Sequence, residues 1–235
     1  MPSMTTFVLL PGLDGTGKLF TGIAKALAPQ GRVVIMRYPP GREQAYADLV
    51  AQVLCDWPTG GDTVLLGESF SGPVALQIAA RPPANLRAVV LSATFARNPV
   101  PYLRPARYVL PFVSPTWLPW FVIEALMLGG HATPRWRKAL RRIASRAGGE
   151  ALSARAIAAL DVDARDALAR VELPVLYLRA KHDRVIAARC GDEIVSLARD
   201  AQLVEIDAPH MLLQIAPREA AEAIDTFLQS VRSRR

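Results

Sequence analysis

The sequence predicts an α/β fold, in which a doubly wound, mostly or wholly parallel sheet of about six strands carries an inserted helical cap. Three features indicate this fold: six short runs rich in β-branched and aliphatic residues, helical stretches between most of these runs, and one long basic connection rich in proline. The six runs are continuously apolar rather than alternating. This pattern is typical of strands that are covered on both faces, as in a parallel sheet.

Strand-like and helical stretches alternate along most of the chain. The predicted strands comprise residues 6–10, 32–38, 63–67, 86–92, 174–180 and 202–207. The predicted helices comprise residues 18–28, 43–56, 70–81, 189–199 and 217–231. Short connections from strand to helix to strand favour a doubly wound sheet. A chain of 235 residues is long enough for one such domain with an insertion.

The connection between the fourth and fifth predicted strands breaks this alternation. Residues 97–170 contain seven of the 19 prolines and three of the four tryptophans. A structureless loop of this length is uncommon inside a compact domain. We therefore predict that residues 97–170 form a helical cap, or lid, and that residues 1–96 and 171–235 form the core domain.

The positive charge of the protein is concentrated in the predicted cap. The segment from Arg97 to Arg165 contains eleven basic and four acidic residues, an excess that equals the net charge of +7 for the whole chain. The charge therefore marks one region and not the whole surface. The composition, 51% hydrophobic and 21% charged, excludes a disordered or fibrous chain.

The remaining apolar segments do not indicate secretion or stable membrane insertion. The N-terminal segment lacks a basic region before its apolar run, so a cytoplasmic location is expected. Residues 108–128 have the length of a transmembrane helix, but three prolines and Glu124 interrupt them and favour a buried or surface-dipping segment. Cys55 and Cys190 have no metal or redox spacing, and both are expected to be buried packing residues.

Ser69 lies in the segment VLLGESFSGPVAL, just past a predicted strand and just before a predicted helix. Ligands bind at the carboxyl ends of the strands in an open parallel sheet. The letters GESFSG nearly match the nucleophile elbow G-x-S-x-G, with Gly67 before the serine and Ser71 in place of the second glycine. Small residues there allow the sharp, strained turn that such a serine needs. Ser69 is therefore a candidate nucleophile, and the alternative is a turn or helix N-cap serine.

A serine hydroxyl becomes a good nucleophile when a base accepts its proton, and histidine suits this task near neutral pH. The chain has three histidines. His131 lies in the basic cap, where a solvated or structural role is expected, and His182 directly precedes the acidic candidate Asp183. His210 follows the last predicted strand, at the same sheet edge as Ser69. By elimination and topology, His210 is the candidate base.

A third residue must orient the imidazole and stabilise its charged form. Asp183 follows the fifth predicted strand, again at a carboxyl end. Asp207 is too close to the histidine in sequence and is expected to be a strand-end turn residue, while Asp14 precedes the serine. Asp183 is therefore the candidate acid.

An acyl-transfer site also needs donors for the developing oxyanion. The backbone N–H of Phe70, directly after the serine, is one candidate. The second is the N–H of Leu13 in the loop PGLDGTG, whose three glycines let the backbone approach a substrate. A phosphate-binding loop is the alternative, but the segment lacks both the G-x-x-x-x-G-K-[ST] and the G-x-G-x-x-G spacing.

Taken together, the segments PGLDGTG, GESFSG, RAKHDRV and DAPHML resemble, in order, the oxyanion loop, nucleophile elbow, acid loop and histidine loop of the α/β-hydrolase superfamily. The resemblance covers nearly the whole chain and includes the order Ser69, Asp183, His210. Pro11-Gly12 replaces the His-Gly with which the family's oxyanion loop often begins, so a side chain that braces the loop is absent. The resemblance implies an α/β-hydrolase fold without the leading two-strand hairpin, and a serine esterase without metal or cofactor. The substrate is not implied, because the fold hosts many chemistries.

The first half of the cap is rich in aromatic residues. We expect Trp117, Trp120 and Phe121 to form an apolar wall for the substrate, with Asp14 contributing from the loop below. An acyl or alkyl group of some size would suit such a wall. The alternative is that the aromatic side chains only bury the cap against the core.

The second half of the cap predicts an amphipathic basic helix. Trp136, Leu140 and Ile143 fall on one face, and the other face carries Arg135, Lys138, Arg142 and Arg146. These four cations could be merely solvated, or they could dock an acidic acyl carrier protein or a phosphate-bearing group. Nucleic acid is not predicted, because no recognition motif accompanies the charge.

The predicted function is therefore a serine hydrolase acting on a carboxylic ester of an apolar acyl or alkyl substrate, and attachment of this substrate to an acidic carrier is left open. An acyl thioesterase with the same triad is the chemical alternative, and a perhydrolase or acyltransferase is a further one. A catalytically silent ligand-binding protein with this fold is the alternative from another class. The sequence leaves the acyl group and the oligomeric state open.

Overall fold

The computed structural model describes residues 5–41, 45–110, 112 and 119–234. Within these residues one sheet of six strands has the order β2-β1-β3-β4-β5-β6. Every neighbouring pair of strands is parallel, which confirms the predicted fold class. The strands are β1 (Thr6–Leu10), β2 (Arg32–Ile35), β3 (Thr63–Glu68), β4 (Leu86–Ser92), β5 (Val175–Ala180) and β6 (Ala201–Ile206).

Helices connect the strands in the predicted order. They are α1 (Thr21–Leu27), α2 (Tyr46–Cys55), α3 (Gly72–Ala79), α4 (Trp120–Met127), α5 (Pro134–Ala147), α6 (Gly149–Asp161), α7 (Arg165–Ala169), α8 (Ala188–Leu197), α9 (Leu212–Ile215) and α10 (Pro217–Ser233). Short 3₁₀ turns cover Lys18–Phe20, Ser69–Ser71, Pro101–Tyr108 and Gly129–His131. The sequence pattern did not reveal α9, which is only four residues long.

The central strands are buried on both faces. Side chains alternate along β1, so that Val8 and Leu10 pack into one core cluster, which also holds residues of α2, α3 and α8. Phe7 and Leu9 pack into the opposite cluster with residues of α1 and α10. Each fully buried side chain of this size stabilises the fold by about 1.5–3 kcal/mol. Helices on both faces account for the unbroken apolar runs of the inner strands.

The predicted cap segment between β4 and β5 is helical and closed at its base. Its two ends meet in an antiparallel bridge between Arg97 and Asp163. The Ala164 N–H also donates to the Ala96 carbonyl over 2.7 Å. After this closure Leu168 of α7 is fully buried in the core. The division at residues 97 and 170 stays a prediction.

Two further expectations concern the burial of the cysteines and the length of the apolar helices. Cys190 is buried, but Cys55 is exposed at the end of α2, so the prediction of two buried cysteines was wrong for Cys55. This residue ends a helix whose buried face carries Leu49 and Val53. Within the described ranges, no helix is both long and apolar enough to cross a membrane. Within the segment 108–128, residues 111 and 113–118 lie outside the described residues.

Candidate active site

Three side chains from three loops meet at the carboxyl end of the sheet. Oγ of Ser69 lies 2.9 Å from Nε2 of His210, and Nδ1 of His210 lies 2.9 Å from Oδ2 of Asp183. When Nδ1–H donates to the carboxylate, Nε2 is left to accept the serine proton. The structure thus brings together the residues predicted as nucleophile, base and acid.

The turn after β3 holds Ser69 in an unusual backbone conformation. Its φ is +48°, in the left-handed region, which costs a non-glycine residue about 1–2 kcal/mol. The hydroxyl of Thr94 donates to the Ser69 carbonyl and supports this conformation. A Cβ on Gly67 would lie 2.8 Å from the Ser71 carbonyl oxygen, and one on Gly72 would collide with Thr94. Close packing therefore explains both glycines of GESFSG.

Ser71 replaces the second glycine of the elbow motif, and its hydroxyl has two partners. It donates to the Pro11 carbonyl and is hydrogen-bonded to the Tyr38 hydroxyl. The side chain is fully buried. Ser71 therefore joins the elbow to the loop after β1, a contact that glycine could not make.

The acid and histidine loops extend the pairing of β5 and β6 beyond the strands. The His182 N–H donates to the Ala208 carbonyl over 3.0 Å. Oδ1 of Asp183 accepts the N–H groups of Val185 and Ile186, both at 2.8 Å. Because its two oxygens have separate partners, the carboxylate is fixed while Oδ2 faces His210.

A second histidine–aspartate pair joins the same two loops. Nε2 of His182 lies 2.7 Å from Oδ1 of Asp207. Both side chains are exposed, at 53% and 75%, and they form no contact with Ser69 within the described residues. The sequence analysis set both residues aside as triad members, and the structure places them at the surface.

The loop after β1 presents two consecutive peptide groups beside Ser69. In the first, the Pro11 carbonyl accepts from Ser71, and the Gly12 N–H hydrogen-bonds to the Glu68 carboxyl group. In the second, the Gly12 carbonyl accepts the N–H of Gly15 over 3.0 Å. The Leu13 N–H of this second peptide donates no hydrogen bond within the described residues. The role of this N–H as an oxyanion donor stays a prediction.

Phe70 supplies the second predicted oxyanion donor. It follows Ser69 in the 3₁₀ turn that opens α3, and N–H groups in the first turn of a helix lack intrahelical partners. The Phe70 carbonyl accepts the Tyr46 hydroxyl over 3.1 Å, and its ring stacks on Tyr46 with centroids 4.9 Å apart. The side chain is therefore locked in the core, which fixes its backbone.

Glu68, directly before the nucleophile, is a buried carboxyl group that the sequence analysis did not single out. Its Oε1 accepts Nε2 of Gln214 over 2.8 Å. Burial raises its pKa to about 7, and the nearby Asp14 carboxylate acts in the same direction. The hydrogen bonds from Gln214 and Gly12 and the proximity of His210 partly offset this rise in the pKa.

The structure gives each predicted substrate-binding residue a position. Oδ1 of Asp14 accepts the Thr16 N–H over 2.8 Å within the loop. Trp120 is half-buried in α4, with the guanidinium carbon of Arg141 5.4 Å from its ring centroid. Phe121 is 72% exposed, and Trp117 lies outside the described residues. Contact of these four side chains with a substrate stays a prediction.

The basic helix α5 carries two kinds of cation. Arg137 and Arg141 pair with the buried Glu124 of α4, at 3.3 and 2.9 Å. Four others are exposed, and no carboxylate of the described residues lies within ion-pair distance of them: Arg135, Lys138, Arg142 and Arg146. Ile143 on the opposite face is buried. The predicted amphipathic pattern of this helix is therefore present.

A surface cavity of about 380 Å³ separates the cap from the acid loop. It is lined by residues 129–131 of the cap and residues 182–184. His131 is exposed at this cavity. Within the described part of the chain, no group of three or more His, Cys, Asp or Glu side chains could hold a metal ion.

Comparison with known proteins agrees with this geometry. The model of the alpha/beta hydrolase family matches residues 7–223. The chain belongs to this family. Family membership supports a hydrolase activity. Comparison with curated protein sequences finds no significant match.

Solved structures of related fold cover nearly the whole chain. The enol-lactonase from Burkholderia xenovorans LB400 superposes with a TM-score of 0.83 at 20% identity, covering 96% of this chain and 92% of its own. A thermophilic esterase from Thermogutta terrifontis, crystallised with malate, gives 0.80 at 20% identity, covering 98% and 91%. A lipase-esterase related protein from Clostridium acetobutylicum ATCC 824 gives 0.79 at 19% identity, covering 96% and 95%. At these identities the similarity establishes the fold.

Sequence reasoning missed the residues that support the oxyanion loop. Arg155 was counted only as one charge of the cap, yet it is 1% exposed and donates to the Leu13 carbonyl over 2.9 Å. One signal was visible: Arg155 is the only cation in α6, among alanine, leucine and isoleucine. For Ser71, the departure from the glycine of the motif was the signal.

Proposed function

We propose that this protein is a serine hydrolase that cleaves the carboxylic ester of an apolar acyl or alkyl substrate through an acyl-enzyme on Ser69. The observation that carries this proposal is the continuous hydrogen-bond chain from Ser69 through His210 to Asp183, both of its bonds 2.9 Å long. The Leu13 N–H in the loop after β1, which donates no hydrogen bond within the described residues, supports it further.

In the acylation step, Ser69 Oγ attacks the ester carbonyl carbon while Nε2 of His210 accepts the hydroxyl proton. The buried Asp183 carboxylate stabilises the imidazolium that forms. The N–H groups of Leu13 and Phe70 stabilise the developing oxyanion, a contribution of about 3 kcal/mol for each donor. Collapse of the intermediate breaks the carbon–oxygen bond, and His210 returns the proton to the leaving alcohol.

Deacylation repeats the same steps with water as the nucleophile. His210 accepts a proton from water, the hydroxide adds to the acyl carbon, and the acid leaves as Ser69 recovers its proton. A thioester would be cleaved by the same steps, with a thiol as leaving group. A lactone is an internal ester, so its hydrolysis would give a single hydroxy acid.

The first test is covalent labelling with a fluorophosphonate probe. We expect the wild type to be labelled at Ser69, and we expect the Ser69→Ala and His210→Ala variants to remain unlabelled. Ser196, a serine in helix α8 with its hydroxyl bonded to the Glu193 carbonyl, provides a matched control as Ser196→Ala, which should be labelled like the wild type. Absence of labelling in a folded wild type would favour the alternative function, that of a catalytically silent ligand-binding protein.

The second test identifies the bond and the acyl group. We expect esters of increasing acyl length to show a rise in kcat/KM until the apolar pocket is filled, because each added methylene that is buried contributes about 0.8 kcal/mol. Comparison with thioesters and lactones of matched length distinguishes a thioesterase or a lactonase from an ester hydrolase. A higher kcat/KM for thioesters at every length would replace the ester assignment.

The exposed face of α5 supports a carrier-bound substrate. The carboxylate of Glu124 forms ion pairs with Arg137 and Arg141, whereas the other four cations have no such partner within the described residues. An acidic acyl carrier protein would meet this positive surface through long-range attraction, which raises the association rate and depends on salt. Apolar contacts of the acyl chain would then be made in the pocket.

The docking test replaces Arg135, Lys138, Arg142 and Arg146 together with Ala. We expect kcat/KM for an acyl carrier substrate at low salt to fall by about tenfold or more, with a weaker salt dependence. Hydrolysis of a p-nitrophenyl ester should change by less than twofold. Four exposed cations outside the cap serve as the charge-matched control: Lys25, Arg32, Arg81 and Arg218. An equal loss in both quadruple variants would exclude a specific docking surface.

A further inference from the structure

A buried guanidinium links the cap to the oxyanion loop, and the proposed mechanism leaves it without a role. Arg155 belongs to α6, whose sequence GEALSARAIAALD contains no other cation. Its side chain is among the largest fully buried ones of the described residues. Burial of a charged group is costly unless its donors are hydrogen-bonded. The hydrogen-bond partners of Arg155 therefore show which segments of the core it joins to the cap.

The guanidinium of Arg155 bonds two backbone carbonyls of the core. Nη1 donates to the Leu13 carbonyl over 2.9 Å, and Nη2 donates to the Pro39 carbonyl over 3.0 Å. Its carbon atom lies 5.7 Å from the ring centroid of Tyr38. The Asp14 carboxylate favours the charged form and opposes the fall in the Arg155 pKa that burial causes. Two loops after β1 and β2 therefore converge on one side chain of the cap.

The oxyanion loop is shaped around this side chain. Gly15 has a φ of +67°, and a Cβ at this position would collide with the guanidinium. The Tyr38 N–H donates to the Gly15 carbonyl over 2.8 Å. Glycine at this position thus satisfies both the left-handed backbone and the close approach of Arg155.

Each peptide around the Leu13 N–H is held from a different direction. Ser71 and Glu68 hydrogen-bond the Pro11–Gly12 peptide, which comes before it. The Gly15 N–H donates to the Gly12 carbonyl, which belongs to the same peptide as the Leu13 N–H. Arg155 holds the carbonyl of the peptide after it. Oxyanion donors are effective because they are fixed before the charge develops. Of these restraints, the one from Arg155 is the only one that originates in the segment between β4 and β5.

We propose that Arg155 is a positioning residue that couples the position of cap helix α6 on the core to the orientation of the Leu13 N–H. This inference rests on the proposed function, since it assigns the Leu13 N–H to the oxyanion. Full stabilisation of the oxyanion then requires α6 to be in place on the core. A cap displaced from the core leaves Ser69, His210 and Asp183 intact but loosens one of the two donors.

The experiment compares Arg155→Met, Arg155→Lys and the control Arg107→Met. Arg107 lies at the base of the cap, donates to Asp161 at the end of α6 over 2.6 Å, and makes no contact with the oxyanion loop among the described residues. The measurements are kcat and KM for p-nitrophenyl butyrate, and the affinities for a trifluoromethyl ketone and for the corresponding alcohol. The ketone forms a hemiketal oxyanion with serine, whereas the alcohol does not.

We expect Arg155→Met to lower kcat by about 30- to 100-fold, because misplacing a reacting group by about 1 Å costs up to 100-fold. The KM and the alcohol affinity should change by less than threefold, while the ketone affinity should fall in proportion to kcat. Arg155→Lys should lower kcat by about tenfold, since an ammonium lacks the planar fork that spans two carbonyls. Arg107→Met should resemble the wild type in all four quantities.

Wild-type kcat and ketone affinity in either folded Arg155 variant would overturn the inference. A parallel loss of affinity for ketone and alcohol would also overturn it, because that result indicates a generally disturbed pocket. If Arg155→Met does not give a cooperative unfolding transition, Arg155→Lys decides the question. If the wild type neither hydrolyses the ester nor labels at Ser69, it is the proposed function that fails.

Discussion

Two histidine–aspartate pairs join the same two loops of this protein, and the strands that the acid and the histidine follow are exchanged between the pairs. In one pair, the acid Asp183 follows β5 and His210 follows β6, and their side chains are 6% and 7% exposed. In the other, His182 follows β5 and the acid Asp207 follows β6, with 53% and 75% exposure. The two pairs have the same chemistry and nearly the same distance, 2.9 and 2.7 Å.

The difference between the pairs lies in their surroundings. Around Asp183, backbone N–H groups fix one carboxylate oxygen and His210 takes the other. The far side of the His210 ring then faces Ser69. In water, by contrast, an exposed pair is screened and is worth less than about 1 kcal/mol. Burial and a third partner therefore distinguish a candidate catalytic pair from a surface ion pair.

The largest effect expected from this comparison is on turnover. Asp183→Asn should lower kcat by about 10⁴-fold, because the amide favours the wrong imidazole tautomer while keeping the shape of the side chain. Asp207→Asn, the matched change in the exposed pair, should leave kcat within twofold. The measurement is ester hydrolysis at pH 8 with purified, folded variants. Similar losses in both variants would mean that burial does not separate the two pairs.

A third carboxyl group, that of Glu68, allows the effect of burial to be measured as a change in the free energy of unfolding. Glu68 has a pKa raised by burial from an ordinary value of 4.5 to about 7. Between these pH values the folded protein retains a proton that the unfolded chain has lost, so the free energy of unfolding falls as the pH rises from about 4.5 to about 7. The total loss is about 3 kcal/mol and is complete above pH 7. Asp14 and His210 are the titratable groups that face Glu68.

Urea unfolding of the wild type and Glu68→Gln across pH 5 to 8 checks this expectation. The glutamine side chain does not titrate, so the stability difference between the two proteins should shift by about 2.5 kcal/mol in favour of the variant between pH 5 and pH 8. The titratable groups that do not interact with Glu68 are common to both proteins and cancel. Parallel stability curves would show that Glu68 is already ionised in the folded state at pH 5.

A smaller effect is expected for the buried hydroxyl of the elbow. Ser71→Ala should lower the free energy of unfolding by about 1–3 kcal/mol, because the Pro11 carbonyl and the Tyr38 hydroxyl lose a buried partner. Ser71→Gly restores the letters of the motif but not the hydrogen bonds, so it should be no more stable than the alanine variant. Denaturant midpoints measure both changes. A glycine variant as stable as the wild type would contradict this account of the motif.

The smallest effect concerns the stability contributed by the exposed pair. His182→Ala should change the free energy of unfolding by less than about 1 kcal/mol, and this contribution should decrease further at 1 M salt. Unfolding at two salt concentrations provides the measurement. A loss of several kcal/mol would indicate that this pair holds the loops together.

The sequence predicted most of the regular elements, and the three side chains that it selected as nucleophile, base and acid lie in hydrogen-bonding contact. The runs 6–10 and 86–92 match β1 and β4 residue for residue, because strands buried on both faces are continuously apolar. Ser69, Asp183 and His210 could be selected because parallel strands bring their carboxyl ends to one edge. The end of β2 at Ile35 rather than at residue 38 was less predictable, since Tyr38 bonds to Gly15 of the loop after β1 and to Ser71 of the elbow instead of to the sheet.

By itself, then, the sequence determined the sheet, the order of the loops along its edge and the chemical identity of the candidate nucleophile, base and acid. Only the tertiary structure decided which polar side chains are buried and what they touch: Arg155 against the Leu13 carbonyl, Glu68 against Gln214, and Ser71 against Pro11. The physical reason is distance along the chain. Apolar runs and turn residues act on their immediate neighbours, whereas burial and hydrogen bonding depend on segments as far apart as residues 13 and 155.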